Sequence, residues 1–274
     1  MMPALLLGVA LTGLVGISMG LLGGGGALFA APILVYVLGV EPKAAIIMTL
    51  IIVGTISLLG ALVHWRAKNL NIAKGLKFGL AMMPGSYLGA KVATLPFVTG
   101  TMQMILLAAV MLSAAGFMIY RSFTGPLPDN EVIDFYPKPL CTRCGLWMAT
   151  EGFGVGLLTG LVGVGGGFAI VPALVLLGDT PVREAIATSL MIIAISSIAA
   201  LAGYLGHVEL DVTLVVMLTA VAAAGTFAGL YWSRFMRATQ LQKGFSYLLV
   251  AMGVFILFQN RAVFGSLANL YIVS

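Results

Sequence analysis

Ala4 to Leu38 is a run of 35 residues without a charged side chain, and four consecutive glycines, Gly23, Gly24, Gly25 and Gly26, stand inside it. As a single helix it would be roughly 50 Å long at 1.5 Å per residue, against a bilayer hydrocarbon core of about 30 Å. That is too long for one crossing and too short for two. Glycine inside a helix costs about 1 kcal/mol relative to alanine, so four in succession end one. The run is predicted to fold as two helical pieces joined in a hairpin at the glycines, either re-entrant from one side or nearly spanning.

The pattern returns 140 residues later. Gly16-Ile17-Ser18-Met19-Gly20-Leu21-Leu22-Gly23 is matched by Gly156-Leu157-Leu158-Thr159-Gly160-Leu161-Val162-Gly163, the glycine run by Gly163, Gly165, Gly166 and Gly167, and Pro32-Ile33-Leu34-Val35 by Pro172-Ala173-Leu174-Val175. Trp147 to Gly178, 32 residues, meets the same length problem with the same solution. Three ordinary spans follow each broken segment, near 44–63, 76–95 and 102–120 in the first copy and 185–205, 212–232 and 245–260 in the second. The one long polar connection, Arg121 to Gly145, carries four prolines, three acids and three basic residues and reads as a surface linker. The expected organisation is a first repeat at 1–121, a Pro-rich linker at 122–145 and a second repeat at 146–274.

Composition sets the solvent. Hydrophobic residues are 61% of the chain and charged residues 8%, which excludes an ordinary soluble domain. The apolar runs are continuous rather than alternating, so they imply a polytopic helical membrane protein and not a barrel. No cleavable signal is expected, because Met1 to Gly8 lacks a basic start and the apolar run is too long. The net charge of +5 is read as a membrane-face asymmetry, with no nucleic-acid partner.

That asymmetry predicts topology. If each broken segment returns to its starting side, each repeat crosses an odd number of times and the second is inverted. One face then receives Arg66, Lys68, Lys74, Lys77, Arg121, Lys138, Arg143, Arg183, Arg234, Arg237 and Lys243, and the other only Lys43, Lys91 and Arg261. Parallel repeats would divide the same residues eight to six. The positive-inside rule selects eleven against three. The fold class expected is all-α and polytopic, with two inverted-topology repeats, each a glycine-broken helix pair plus three spanning helices. Both termini fall outside and the linker in the cytoplasm.

Inverted repeats with interrupted helices place a ligand site near the bilayer midplane in many secondary transporters. A helix starting after each glycine run, near Gly26 or Gly167, would aim its unsatisfied N–H groups at the break and favour an anion there. The simpler alternative is a tight turn packed against its neighbours. A second matched set lies on the next helix. Thr49 and Ser57 are eight apart, hence on one helix face, and Ser189 and Ser197 repeat them 140 residues on. Their hydroxyls can line a ligand path or bond their own helix's carbonyls. Gly85 with Gly89, and Gly225 with Gly229, are small-xxx-small pairs expected to pack helices closely. Apart from Lys91 and Glu151, no charge lies clearly inside a span, which favours a neutral or anionic ligand over a cation. Neither a cofactor nor a metal site is expected, and nothing resembles an enzyme. In the linker, Cys141 and Cys144 form a CxxC with Arg143 inside it, open to redox, metal, sulfur-relay or no chemical role.

The paired glycine motifs, with Pro32, Pro172 and the stretch Pro84-Gly85-Ser86-Tyr87-Leu88-Gly89-Ala90 between them, resemble the TauE/SafE family of sulfite exporters. The resemblance covers nearly the whole chain outside the linker. It implies an inner-membrane permease for a small sulfur-containing anion such as sulfite, thiosulfate or an organosulfonate, with export the expected direction. Its site would comprise Gly23 to Gly26, Thr49 and Ser57 with Gly163, Gly165, Gly166, Gly167, Ser189 and Ser197. A proton or sodium ion as coupling partner, and a homodimer, stay open. The alternatives are an anion channel of the same architecture, or a membrane thiol-redox or sulfur-transfer protein centred on Cys141 and Cys144.

Overall fold

A computed structural model describes residues 2–124, 144–163, 182–204 and 211–233, together with 167, 170–171, 174, 180, 247, 250–251 and 253–259. Its elements are α1 (Met2–Leu22), α2 (Pro42–Arg66), α3 (Ile72–Ala93), α4 (Gly100–Thr124), α5 (Cys144–Val162), α6 (Val182–Tyr204) and α7 (Val212–Trp232). There is no strand among the described residues. By length and composition Pro42–Arg66, Glu184–Tyr204 and Val212–Trp232 can each cross a membrane, and Leu6–Val37 is a further apolar segment. The helices start and stop within a few residues of the expected spans. The last span, near 245–260, is described only in part.

The first apolar run is broken where the glycines stand. Helix α1 ends at Leu22, and Gly23 takes a left-handed φ of +69°, the conformation that glycine supplies at a helix C-terminus. Gly163 does the same after α5, with φ +75°. From Gly23 the chain turns back. A Cβ on Gly26 would stand 2.6 Å from Met19 N, and one on Gly8 would stand 2.5 Å from the Leu38 side chain. The return arm therefore lies antiparallel along α1 down to its start. Gly8 to Gly23 gives arms of about 22 Å at 1.5 Å per residue.

The return arm departs from expectation. No α-helix begins at Gly26. A 3₁₀-helix spans Gly23–Phe29, one α-turn follows at Ala30–Pro32, and a π-helix closes the arm at Ile33–Val37. Proline has no N–H, so Pro32 removes the i→i−4 bond a regular α-helix needs at that point. The whole 3₁₀ segment is buried, with Phe29 wedged into the core. Most of the second return arm lies outside the described residues, although Gly167, Ile170 and Leu174 are placed and buried.

The two copies are interleaved. Helix α1 packs on α7 of the second copy, and α5 packs on α3 of the first. Glycines set both contacts at backbone distance, and they correspond residue for residue. A Cβ on Gly16 would meet the Ala222 carbonyl and one on Gly156 the Met82 carbonyl; Gly20 faces Thr226 O and Gly160 faces Ser86 O. Each pair maps onto the other by the same shift of 140. Gly85 and Gly89 rest on the Phe153 and Leu157 carbonyls, and Gly225 and Gly229 on those of Gly13 and Ile17. The expected small-xxx-small packing is thus present in both copies, always against a helix of the other one.

Helices α2 and α6 form the centre. Gly54 lies against Ser197, its Cβ position 3.0 Å from Ser197 Cβ, while Gly60 lies against Leu190, 2.9 Å from Cδ1. Rising numbers on α2 meet falling numbers on α6, so the two run in opposite directions. By the same test α1 and α7 run parallel, as do α5 and α3. Each exterior-facing helix leaves large apolar side chains uncovered, among them Leu6, Leu14, Leu58, Leu80, Val216 and Phe227. Such a surface suits hydrocarbon rather than water.

Candidate functional site

The glycine breaks of the two copies meet. A Cβ on Gly24 would stand 2.7 Å from Gly167 Cα, and one on Gly167 would fall inside the backbone of Gly24. Only paired glycines allow two main chains to approach this closely. The hairpin tips themselves pass beyond this crossing toward opposite ends of the central pair. Gly23 sits against the start of α6, with its Cβ position 2.9 Å from Ser189 Oγ and 3.0 Å from Ile186 O. Gly163 sits against Ile46 at the start of α2. Ile46 and Ile186 are again 140 apart.

One face of α6 lies against this crossing. Ser189, Ile193 and Ser197 follow each other at i, i+4 and i+8 on α6; Gly23 covers the first, Gly24 the Ile193 side chain, and Gly54 of α2 the third. Thr49 and Ser57 hold the matching places on α2, and Thr49, Ser57 and Ser189 are fully buried. Ser189 Oγ donates to Ile186 O at 2.8 Å. Thr49 Oγ1, Ser57 Oγ and Ser197 Oγ have no hydrogen-bond partner. Buried hydroxyls are normally paired, and three orphans at matched positions need an explanation. Gly25 and Gly26 are buried in the 3₁₀ arm. Gly165 and Gly166 lie outside the described residues.

Several polar groups that pattern reasoning did not single out hold the second break. Gln103 of α4 donates through Nε2 to Leu161 O at 2.9 Å and to Tyr204 Oη at 3.3 Å, and Tyr204 Oη donates to Gly160 O at 2.9 Å. These are the last carbonyls of α5, the groups a helix C-terminus leaves unsatisfied. The pairing also fixes the Gln103 amide, since both partners on that side require a donor. Gln103 is the one amide in a long apolar stretch, which was the available signal. Tyr204 occupies the place that His64 holds in the first copy. Ser86 Oγ and Thr159 Oγ1, beside the α3–α5 contact, are likewise buried without partners.

At the far end of α2, where Arg66 and Lys68 emerge, Asn71 N-caps α3 by accepting from Lys74 N at 3.0 Å. Its amide donates to Glu184 Oε1 at 2.7 Å, which puts the start of α6 beside the end of α2. Among the described residues no group of His, Cys, Asp and Glu is placed to hold a metal ion. Cys141 lies outside the described residues, and of Cys144 only its place as the first residue of α5 is described.

Apolar spans and buried glycine crossings define a multi-pass helical membrane protein. The profile of the sulfite exporter TauE/SafE family matches residues 7–256, and the chain belongs to that family. A "Probable membrane transporter protein" of Xylella fastidiosa is 27% identical over 91% of this chain and 94% of its own length. The probable membrane transporter protein YdhB of Bacillus subtilis is 24% identical over 89% and 97%. A probable membrane transporter protein of Methanocaldococcus jannaschii is 26% identical over 89% and 92%. No solved structure matches the chain.

Proposed function

We propose that the protein is a secondary transporter of a small sulfur-containing anion, sulfite, thiosulfate or an organosulfonate, acting by alternating access about the crossed glycine breaks. The observation that carries this is the Gly24–Gly167 backbone contact against the α6 face that bears Ser189 and Ser197, together with the unpartnered buried hydroxyls of Ser197 and, on α2, of Thr49 and Ser57. The site comprises Gly23 to Gly26, Thr49 and Ser57 from one copy and Gly163, Gly165, Gly166, Gly167, Ser189 and Ser197 from the other. Hydroxyl donors and backbone N–H groups suit an oxyanion, and no carboxylate stands among these residues.

Inverted-topology repeats are part of the reading. A two-fold relation that carries α2 onto an antiparallel α6 has its axis across the helices, hence in the membrane plane. The Asn71–Glu184 bond supports it too, because it joins the basic end of α2 to the start of α6, where the inverted arrangement gathers the positive charge. Both termini then face outside an inner membrane, and the residue 122–145 linker faces the cytoplasm. Export is the direction the family name suggests.

Purified protein in liposomes tests the reading directly. Saturable, counterflow-stimulated flux of labelled sulfite, thiosulfate or a sulfonate is expected, and Gly24→Leu should abolish it. Non-saturable flux without counterflow would make the protein a channel. Undiminished flux in Gly24→Leu would remove the crossing from the mechanism.

A further inference from the structure

The two ends of the α2–α6 pair are not alike, although the repeats that build them are. At the basic end hydrogen bonds join the first copy to the second, three of them among the described residues. Asn71 Nδ2 donates to Glu184 Oε1 at 2.7 Å, Asn71 N donates to Thr188 Oγ1 at 3.2 Å, and Lys74 Nζ donates to Thr180 Oγ1 at 2.9 Å. Thr180 and Thr188 are buried, so the cluster is part of the interior seal rather than a surface decoration. Gly75 and Gly79 of α3 let this seal close tightly. A Cβ on Gly75 would stand 3.1 Å from both Thr188 Cγ2 and Met191 Sδ, and one on Gly79 would stand 3.0 Å from Ile195 Cδ1.

Shifting each position by 140 shows what the opposite end can build. Asn71 corresponds to Asp211, which is also an N-cap and accepts from Leu214 N at 3.0 Å. Its partners are lost. Glu184 corresponds to Ala44, Thr188 to Met48, Thr180 to Val40 and Lys74 to Leu214, none with a polar side chain. Gly75 and Gly79 correspond to Val215 and Thr219, too bulky for the same approach. The matched positions at the other end cannot build this latch. It lies one residue beyond Ser189, the hydroxyl against which the tip Gly23 rests.

We propose that Asn71, Lys74, Thr180, Glu184 and Thr188 form the gate that closes the substrate path at the basic face, and that this chain is held in the state shut on that side. The inference rests on the alternating-access reading above, since a gate needs two states to separate. Opening breaks these bonds together, so the latch sets how often the basic face opens.

The test uses the full-length chain with Cys141 and Cys144 replaced by serine. A reporter, Ser189→Cys, is labelled with a membrane-impermeant maleimide from the basic face of sealed vesicles. Labelling should be slow in the parent and in Glu184→Gln, which keeps an acceptor for Asn71. It should be about tenfold faster when Glu184→Ala and Lys74→Ala remove two hydrogen bonds. Equal labelling in all three would overturn the proposal. Separately, Asn71→Cys with Glu184→Cys can be tied by a short reducible bis-thiosulfonate. Tied protein in liposomes should not move labelled sulfite, thiosulfate or sulfonate until a reductant is added, and full flux while tied would also overturn the gate. If the untied parent moves none of these anions, the transport reading fails on its own, while the labelling comparison still decides whether the latch closes that face.

Discussion

At the scale of single residues, the proposed site holds three buried hydroxyls without a hydrogen-bond partner. A buried hydroxyl without a partner costs stability, whereas one that meets an oxyanion contributes a hydrogen bond to a charged acceptor. The two roles separate experimentally. Thr49→Val, Ser57→Ala and Ser197→Ala should each leave the unfolding midpoint in detergent unchanged or slightly raised. Each should raise the half-saturating anion concentration about tenfold, the equivalent of one charge-assisted hydrogen bond. A lowered midpoint with unaltered half-saturation would make them packing groups. Thr49, Ser57, Ser189 and Ser197 were legible in sequence because they recur at a fixed shift and a helical spacing. That three of the four lack partners was not, because pairing depends on which carbonyls lie within reach. Ser189 reaches Ile186 O, and Ser197 on the same helix face does not.

At the scale of elements, glycines in the same helix divide sharply by what they face. Gly156 of α5 lies on the Met82 carbonyl, whereas Gly154, two residues earlier, has nothing within 4 Å. Gly154→Ala should therefore raise stability by up to about 1 kcal/mol through helix propensity alone. Gly156→Ala should lower it by about 1–3 kcal/mol, since a carbonyl cannot yield to an added methyl. Thermal unfolding of the two variants side by side checks both. The small-residue pairs announced close packing in the sequence, yet nothing in them named the partner, which sits in the other copy. The return arm was legible as an interruption and a hairpin. Its 3₁₀ and π geometry was not, because it answers to burial around Phe29 and the missing N–H of Pro32 rather than to periodicity.

At the scale of the whole molecule, the repeat and the break could be read from the chain. The asymmetry between the two ends could not, because it arises where matched positions have diverged, Glu184 against Ala44 and Gly75 against Val215. The topology proposed from the charge count is directly measurable. Reporters fused at residue 1 and at residue 274 should both register the outer side, and one inserted between residues 128 and 129 the cytoplasm. Opposite readings at the two termini would require parallel repeats.

The exchange of helices between copies has a consequence for how the chain is made. Helix α1 rests its Gly16 and Gly20 on Ala222 and Thr226, residues synthesised some two hundred positions later. Loop closure over that distance cannot reward α1 until nearly the whole polypeptide has left the ribosome. Until then α1 and its hairpin wait in lipid with their glycine faces uncovered, and a chain stopped after residue 124 can never cover them. Such a fragment should be degraded when expressed alone, measured by pulse-chase. It should persist when residues 125–274 are supplied as a separate chain, because the covering helix comes from that half. The protein inherited two copies of one unit but keeps neither as a unit of folding.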